Sequence, residues 1–266
     1  MTIDWKPNGF MTIDQTRLEY ACFGPAPDKA PTLVLLHEGL GCVALWRDVP
    51  QRLVEATGCG VFAYSRAGYG QSDPASLPRP ITYMTEEATG PLPKILRALA
   101  VKRAVLVGHS DGATIAAEYA GAFQEDFLKG LVLIAPHFFT EPLGLAEIAE
   151  AKRAYETTDL RAKMAKYHKD PDVAFYGWNE AWLNPSFAKW DVTKALETNS
   201  VPILAIQGAD DQYGTLAQLD IIQQRCPSEV EIRVLPQTRH APHLEATEVT
   251  VDEITQFCQR LMQNIA

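Results

Sequence analysis

The chain lacks any paired cysteine motif: its five cysteines, Cys22, Cys42, Cys59, Cys226 and Cys258, are odd in number, widely spaced and without a Cys-x-x-Cys. That pattern argues against a disulfide framework or thiolate metal site and reads as reduced, buried thiols in a cytoplasmic protein. Positive charge is also short, 24 Lys and Arg against 33 Asp and Glu, for a formal net charge of −9. Nucleic acid and anionic membranes call for a basic face, so the expected partner is a small molecule, with a homodimer left open. No apolar run reaches the roughly 18 residues of a membrane span. The opening Met1-Thr2-Ile3-Asp4-Trp5-Lys6-Pro7 has no apolar core followed by a small-residue cleavage site, so no secretory signal is expected. Phosphate loops are missing as well. Ser65 to Pro74 is rich in glycine but lacks a Gly-Lys-Ser/Thr ending, and no Gly-x-Gly-x-x-Gly occurs. It reads as a structural turn shaping one wall of a cleft.

What is present is apolar mass, 47% of 266 residues, enough for one large core with or without an inserted subdomain. The chain is organised around Ala104 to Tyr119. There a valine-rich run meets Gly108-His109-Ser110-Asp111-Gly112, and an alanine-rich, helix-favouring segment follows at once. Strand, sharp Gly-x-Ser-x-Gly turn and helix together make a nucleophile elbow, in which a tight backbone pushes the serine Oγ out of the sheet. Ser110 is the candidate nucleophile.

Around it, apolar runs alternate with helical patterns. Phe10 to Ile13 and Leu18 to Phe23 predict a hairpin; Thr32 to His37, Gly60 to Tyr64, Gly130 to Pro136, Val201 to Gly208 and Glu229 to Leu235 predict strands. Helices are expected over Trp46 to Ala56, Thr85 to Ala100 with a bend or restart near Pro91 and Pro93, Thr215 to Arg225, and Ala246 to Ile265. The alternation implies a mostly parallel sheet with helices on both faces. It stops over 137–199, where helical patterns (Leu143 to Thr157, Leu160 to His168) precede Phe175, Tyr176, Trp178, Trp182, Phe187 and Trp190. That stretch reads as a helical lid inserted into a core of 1–136 and 200–266, its tryptophans lining an apolar pocket or packing it onto the body.

Functional groups of such sheets collect at the carboxyl ends of strands. Beyond the strand ending at Gly208 lie Asp210 and Asp211, and beyond the last strand lies His240. The order Ser, Asp, His suits a triad in which the acid orients the imidazole that deprotonates the serine. His37 and His109 end strands beside glycine-dependent turns and are expected to pack, and His243 to start the final helix. Residue type alone leaves Asp210 and Asp211 both open. Oxyanion donors are expected from the backbone N–H of Asp111, which follows the nucleophile, and of Gly39 in His37-Glu38-Gly39-Leu40-Gly41.

With these motifs in order, the sequence resembles the α/β-hydrolase superfamily, in the branch of small serine esterases and aminoacyl-ester hydrolases. His37-Glu38-Gly39-Leu40-Gly41 is similar to its His-Gly-x-x-Gly oxyanion loop. Gly208-Ala209-Asp210-Asp211 resembles its Gly-x-x-Asp turn, which places the acid at Asp211. Arg239-His240-Ala241-Pro242-His243 resembles its histidine loop, in which the first histidine acts. The resemblance implies an α/β-hydrolase fold with a helical lid, and hydrolysis of a small carboxylic ester through an acyl-enzyme, with no metal or organic cofactor. Carbon-carbon hydrolases, thioesterases and aminopeptidases of the superfamily use the same triad, and a non-catalytic small-molecule receptor is the reading from a different class. Two departures stand out: Glu38 replaces a glycine, and an acid, Asp111, follows the nucleophile. With Trp178 and Trp182 they are candidate substrate contacts, the two carboxylates for an ammonium group.

Overall fold

A single sheet of eight strands runs through the computed structural model, which describes residues 2–263. The strands are β1 (Gly9–Ile13), β2 (Thr16–Phe23), β3 (Thr32–Leu36), β4 (Gly60–Tyr64), β5 (Ala104–His109), β6 (Leu128–Ile134), β7 (Ile203–Gly208) and β8 (Val230–Leu235). Their order across the sheet is β1-β2-β4-β3-β5-β6-β7-β8. β1 and β2 form the expected hairpin, turned through Asp14 and Gln15 at positive φ, and β2 pairs antiparallel with β4. All other pairings are parallel.

The central strands are apolar throughout because both faces are covered. Alternate side chains sort cleanly: Val34, Leu36, Leu106, Leu131 and Leu133 enter one buried cluster, while Leu33, Leu35, Val105, Val107, Val132 and Ile134 enter the other. The second cluster is closed by α1 (Val49–Thr57) and the last helix, and the first by α2 (Tyr83–Thr89), α3 (Pro91–Leu99) and α4 (Asp111–Ala122). The α/β-hydrolase fold expected from the sequence is thus the fold observed. All five cysteines are free.

Two helices differ from expectation. The stretch from Trp46 divides into a 3-10 turn, Val43–Trp46, and α1, because Arg47 takes a positive φ of 52° between them. Pro50 then sits in the first turn of α1, where its missing N–H costs nothing. The expected break before Pro91 falls at Gly90. Between β6 and β7 lie α5 (Pro142–Thr157), α6 (Leu160–Met164) and α7 (Pro171–Trp182). α6 stops short of His168, whose ring instead accepts from Gly70 N–H at 3.0 Å and donates to Leu40 O at 3.0 Å. α7 starts at a Pro capped by Asp170, whose carboxylate accepts from the N–H groups of Asp172 and Val173. After β7 come α8 (Ala217–Arg225), α9 (Pro242–Glu245) and α10 (Thr247–Gln263); the expected end of α10 at Ile265 lies outside the described residues.

Helix α4 carries a buried acid on its far side from the elbow. Glu118 accepts from Thr85 Oγ1 at 2.6 Å, its other oxygen has no partner, and burial pushes its carboxyl up to about 7. The folded protein therefore holds this proton to higher pH than the unfolded chain does, and the stability it lends below the ordinary Glu range is lost as pH rises through about 7. Glu118→Gln is expected to stabilise the fold by about 3 kcal/mol above neutral pH and to be near-neutral at about pH 4. Urea unfolding midpoints of both proteins across this range check the prediction.

Candidate active site

Ser110 stands between β5 and α4 with φ 53° and ψ −117°, a conformation most side chains avoid. The flanking glycines permit it. A Cβ on Gly112 would lie 1.9 Å from Leu36 O, and one on Gly108 would lie 2.2 Å from Gly112 O. Backbone approaches that close leave room only for hydrogen. The serine is 7% exposed and faces a cavity of about 260 Å³, small for a ligand pocket, that is also lined by His240, Gly39, Trp178 and Trp182.

His240 lies in the loop after β8. Its Nδ1 donates to both carboxylate oxygens of Asp211, at 2.9 and 3.0 Å. That fixes the tautomer and leaves Nε2 as the free acceptor. Asp211 also accepts from Tyr213 N–H at 2.8 Å; burial raises its carboxyl, but His240 and this N–H hold it below the usual carboxylate range. Asp210 is exposed. Of the two acids that residue type left open, Asp211 is the one at the imidazole. The His240 loop rests on Gly208, where a Cβ would meet Thr238 O at 2.1 Å and Arg239 O at 2.2 Å.

The loop after β3 supplies the opposite wall. Arg66, 2% exposed, donates through Nη1 to His37 O at 2.5 Å and through Nη2 to Glu38 O at 2.9 Å. His37 accepts from Arg66 N–H on Nε2 and donates from Nδ1 to Glu38 O, so it is a neutral ring, and burial lowers its basicity further. No hydrogen bond is made by the backbone N–H of Gly39 or Asp111 among the described residues. Both are free to serve a ligand oxygen. Trp178 lies against Gly39 so closely that a Cβ there would come within 2.2 Å of the indole.

An alpha/beta hydrolase family model matches residues 33–253. The chain belongs to the alpha/beta hydrolase family. It is 28% identical over 235 residues to a non-heme chloroperoxidase of Streptomyces lividans, covering 76% of this chain and 81% of that one. It is 26% identical over 243 residues to a proline iminopeptidase of Lacticaseibacillus rhamnosus (76% and 81% covered). Among solved structures, a carboxylesterase of the thaumarchaeon Nitrososphaera gargenis superposes with a TM-score of 0.78 at 18% identity, over 97% of this chain and all of that one.

Within this alpha/beta hydrolase site, two expectations need correction. The Asp111 carboxylate does not line the cavity: it is fully buried, accepts from Tyr83 O–H at 2.5 Å, and lies 3.8 Å from Arg66. Burial lifts it above the usual carboxylate range against the pull of Arg66 and Tyr83. Its side chain is therefore turned away from any substrate ammonium. The glycine-rich turn after β4 does not form a cavity wall either. It braces the loop that does, through Arg66 and through the His168 ring between Gly70 and Leu40.

Glu38, Trp178 and Trp182 line the cavity, whereas Trp190 packs on Trp182 and Phe187 behind it. Sequence reading gave no role to His137, Ile148 or Tyr213, which also line it. His137 follows the carboxyl end of β6, and the strand-end rule that singled out His240 applies to it equally. Its ring sits 5.5 Å from His240, and burial, with His240 adding to it, pushes it down to about 3, so it is neutral. No residue separation could have announced Ile148 or Tyr213, since helix α5 and the loop after β7 meet only in three dimensions.

Arg66 is the buried cation on which this arrangement depends. Arg66→Met strands the Asp111 carboxylate and frees the loop carbonyls, and is expected to cost about 3–5 kcal/mol in thermal unfolding. In Arg66→Met/Asp111→Asn, where no charge is left stranded, part of that loss should return.

Proposed function

We propose that this protein is a serine hydrolase of small carboxylic esters, with Ser110 as nucleophile, His240 as general base and Asp211 as the orienting acid. The observation that carries the reading is the conjunction at one cavity of a serine held at positive φ and an imidazole whose Nδ1–H is engaged by a buried carboxylate. In this reaction His240 Nε2 takes the Ser110 proton as Oγ attacks the carbonyl carbon. The negative charge that forms on the carbonyl oxygen is met by the N–H groups of Gly39 and Asp111, each worth about 3–4 kcal/mol in a site that excludes water. The imidazolium returns its proton to the departing alkoxide. Water, deprotonated by the same ring, then attacks the acyl carbon, and the ring returns that proton to Ser110 Oγ as the C–Oγ bond breaks and the acid leaves.

The cavity wall narrows the substrate. Its volume suits a compact acyl or alcohol group, and Trp178, Trp182 and Ile148 give that group an apolar surface. Among the described residues no Lys or Arg lines it, while Glu38 and Glu245 do. A carboxylate or phosphate beside Glu245 would meet like charge with no cation in the wall to offset it, which favours neutral esters over anionic substrates. The helices between β6 and β7 act as the lid that keeps the site dry, and the free cysteines suit a cytoplasmic setting.

A fluorophosphonate probe is expected to label one residue per chain, Ser110, and to leave Ser110→Ala unlabelled. Asp211→Asn, which frees the imidazole to adopt the wrong tautomer, should lower kcat on a small neutral ester by about 10⁴-fold. Folded wild-type protein that neither labels nor cleaves such esters would sink the proposal. No described helix is long and apolar enough to cross a membrane, so both assays suit the protein in aqueous buffer.

A further inference from the structure

Glu38 and His109 take no step in the reaction proposed above, yet both line the same cavity as Ser110 and His240. His109 ends β5 immediately before the nucleophile, and its Nε2 lies 2.8 Å from the backbone O of His240. A carbonyl only accepts, so the Nε2 position carries a proton. The other ring nitrogen, Nδ1, is buried, has no hydrogen-bond partner, and lies 3.5 Å from Glu38 Oε2. A lone pair and a carboxylate facing each other repel unless a proton lies between them. The neighbouring imidazoles show the contrast. His37 and His168 each face one N–H donor and one carbonyl, which a neutral ring satisfies. His109 faces two acceptors.

We infer that Glu38 and His109 hold one proton between them and act as a positioning pair, tying the oxyanion loop, the elbow and the His240 loop together at a single point. The role in catalysis rests on the hydrolase reading given above. The loop is shaped for the carboxylate: a Cβ on Gly41 would fall 2.3 Å from Glu38 Oε2, so a second glycine makes the room into which Glu38 folds back. The other titratable groups around the pair are His37 and His168 on the oxyanion-loop side, and His240 and His243 on the other, the His243 ring 4.5 Å from that of His109. Burial keeps His243 neutral, so it does not compete for the proton. Burial pushes the Glu38 carboxyl up, but donation from and proximity of His109 outweigh it and hold the carboxyl below the usual carboxylate range. Glu38 thus stands where a glycine is usual because His109 needs an anion, and the pair, rather than a substrate ammonium, is what that carboxylate serves.

The test reads the ring nitrogens and the serine separately. Nitrogen-15 NMR of the histidine side chains, with the His109 signals assigned by their loss in His109→Asn, should show a protonated Nδ1 in wild type at neutral pH and a free acceptor-type Nδ1 in Glu38→Ala. The rate at which a fluorophosphonate labels Ser110 should fall about tenfold or more in Glu38→Ala, through displacement of the loops. Glu38→Gln, whose amide can donate to a neutral Nδ1, should label faster than Glu38→Ala. A free Nδ1 in wild type, or equal labelling of wild type, Glu38→Ala and Glu38→Gln, overturns the pair and leaves the hydrolase intact. If wild type is not labelled at all, the hydrolase reading falls and takes the positioning role with it, while the Nδ1 signal still decides whether the proton is shared.

Discussion

The closest constraint in this molecule is the approach of the first turn of α4 to the end of β3, where Gly112 has no room for a side chain against the carbonyl of Leu36. Everything at the site inherits its position from that contact. It brings the serine at the head of α4 beside the loop that leaves β3, so one helix start and one loop present N–H groups to the same volume. The glycine there leaves room for the tight turn in which Ser110 takes its positive φ, a local cost held by the parallel pairing of β5 with β3 and β6 on either side.

A second layer of control lies beneath the loops. Arg66 reaches from the turn after β4 to two carbonyls of the β3 loop and to Asp111 at the foot of α4. Tyr83 donates to the same aspartate and accepts from the Trp182 indole N–H at 2.9 Å. A buried charge network of this kind is seldom a net gain in stability, but it admits only one arrangement of its parts. Here it braces two N–H groups, of Gly39 and Asp111, that lie 72 residues apart in the sequence. Asp111, which as a bare sequence feature looked like a substrate ligand, is the anion of that network.

Much of this was legible in the sequence, for identifiable reasons. The central strands are apolar on both faces, so their run length announced them, and glycine at positions 108 and 112 announced the elbow. The Gly-x-x-Asp resemblance selected Asp211 over Asp210, and the structure puts Asp211 at His240. What stayed hidden depended on packing across the sheet. The direction of the Asp111 side chain follows from Arg66 and Tyr83, which lie 45 and 28 residues earlier. The break before α1 follows from one positive φ at Arg47, a residue with no turn signature. His137 was in view but undistinguished, because a lone histidine after a strand looks alike whether it packs or faces a cavity.

The contact between Trp178 and Gly39 carries a further meaning. The indole that gives the pocket part of its apolar wall also lies against the backbone of Gly39, on the same cavity as Ser110. In the reaction proposed above, recognition and polarisation would therefore be two faces of one ring. Enlarging the pocket by trimming position 178 would also let water reach the Gly39 N–H and compete for it, so breadth of substrate and strength of the local field trade against each other through a single side chain.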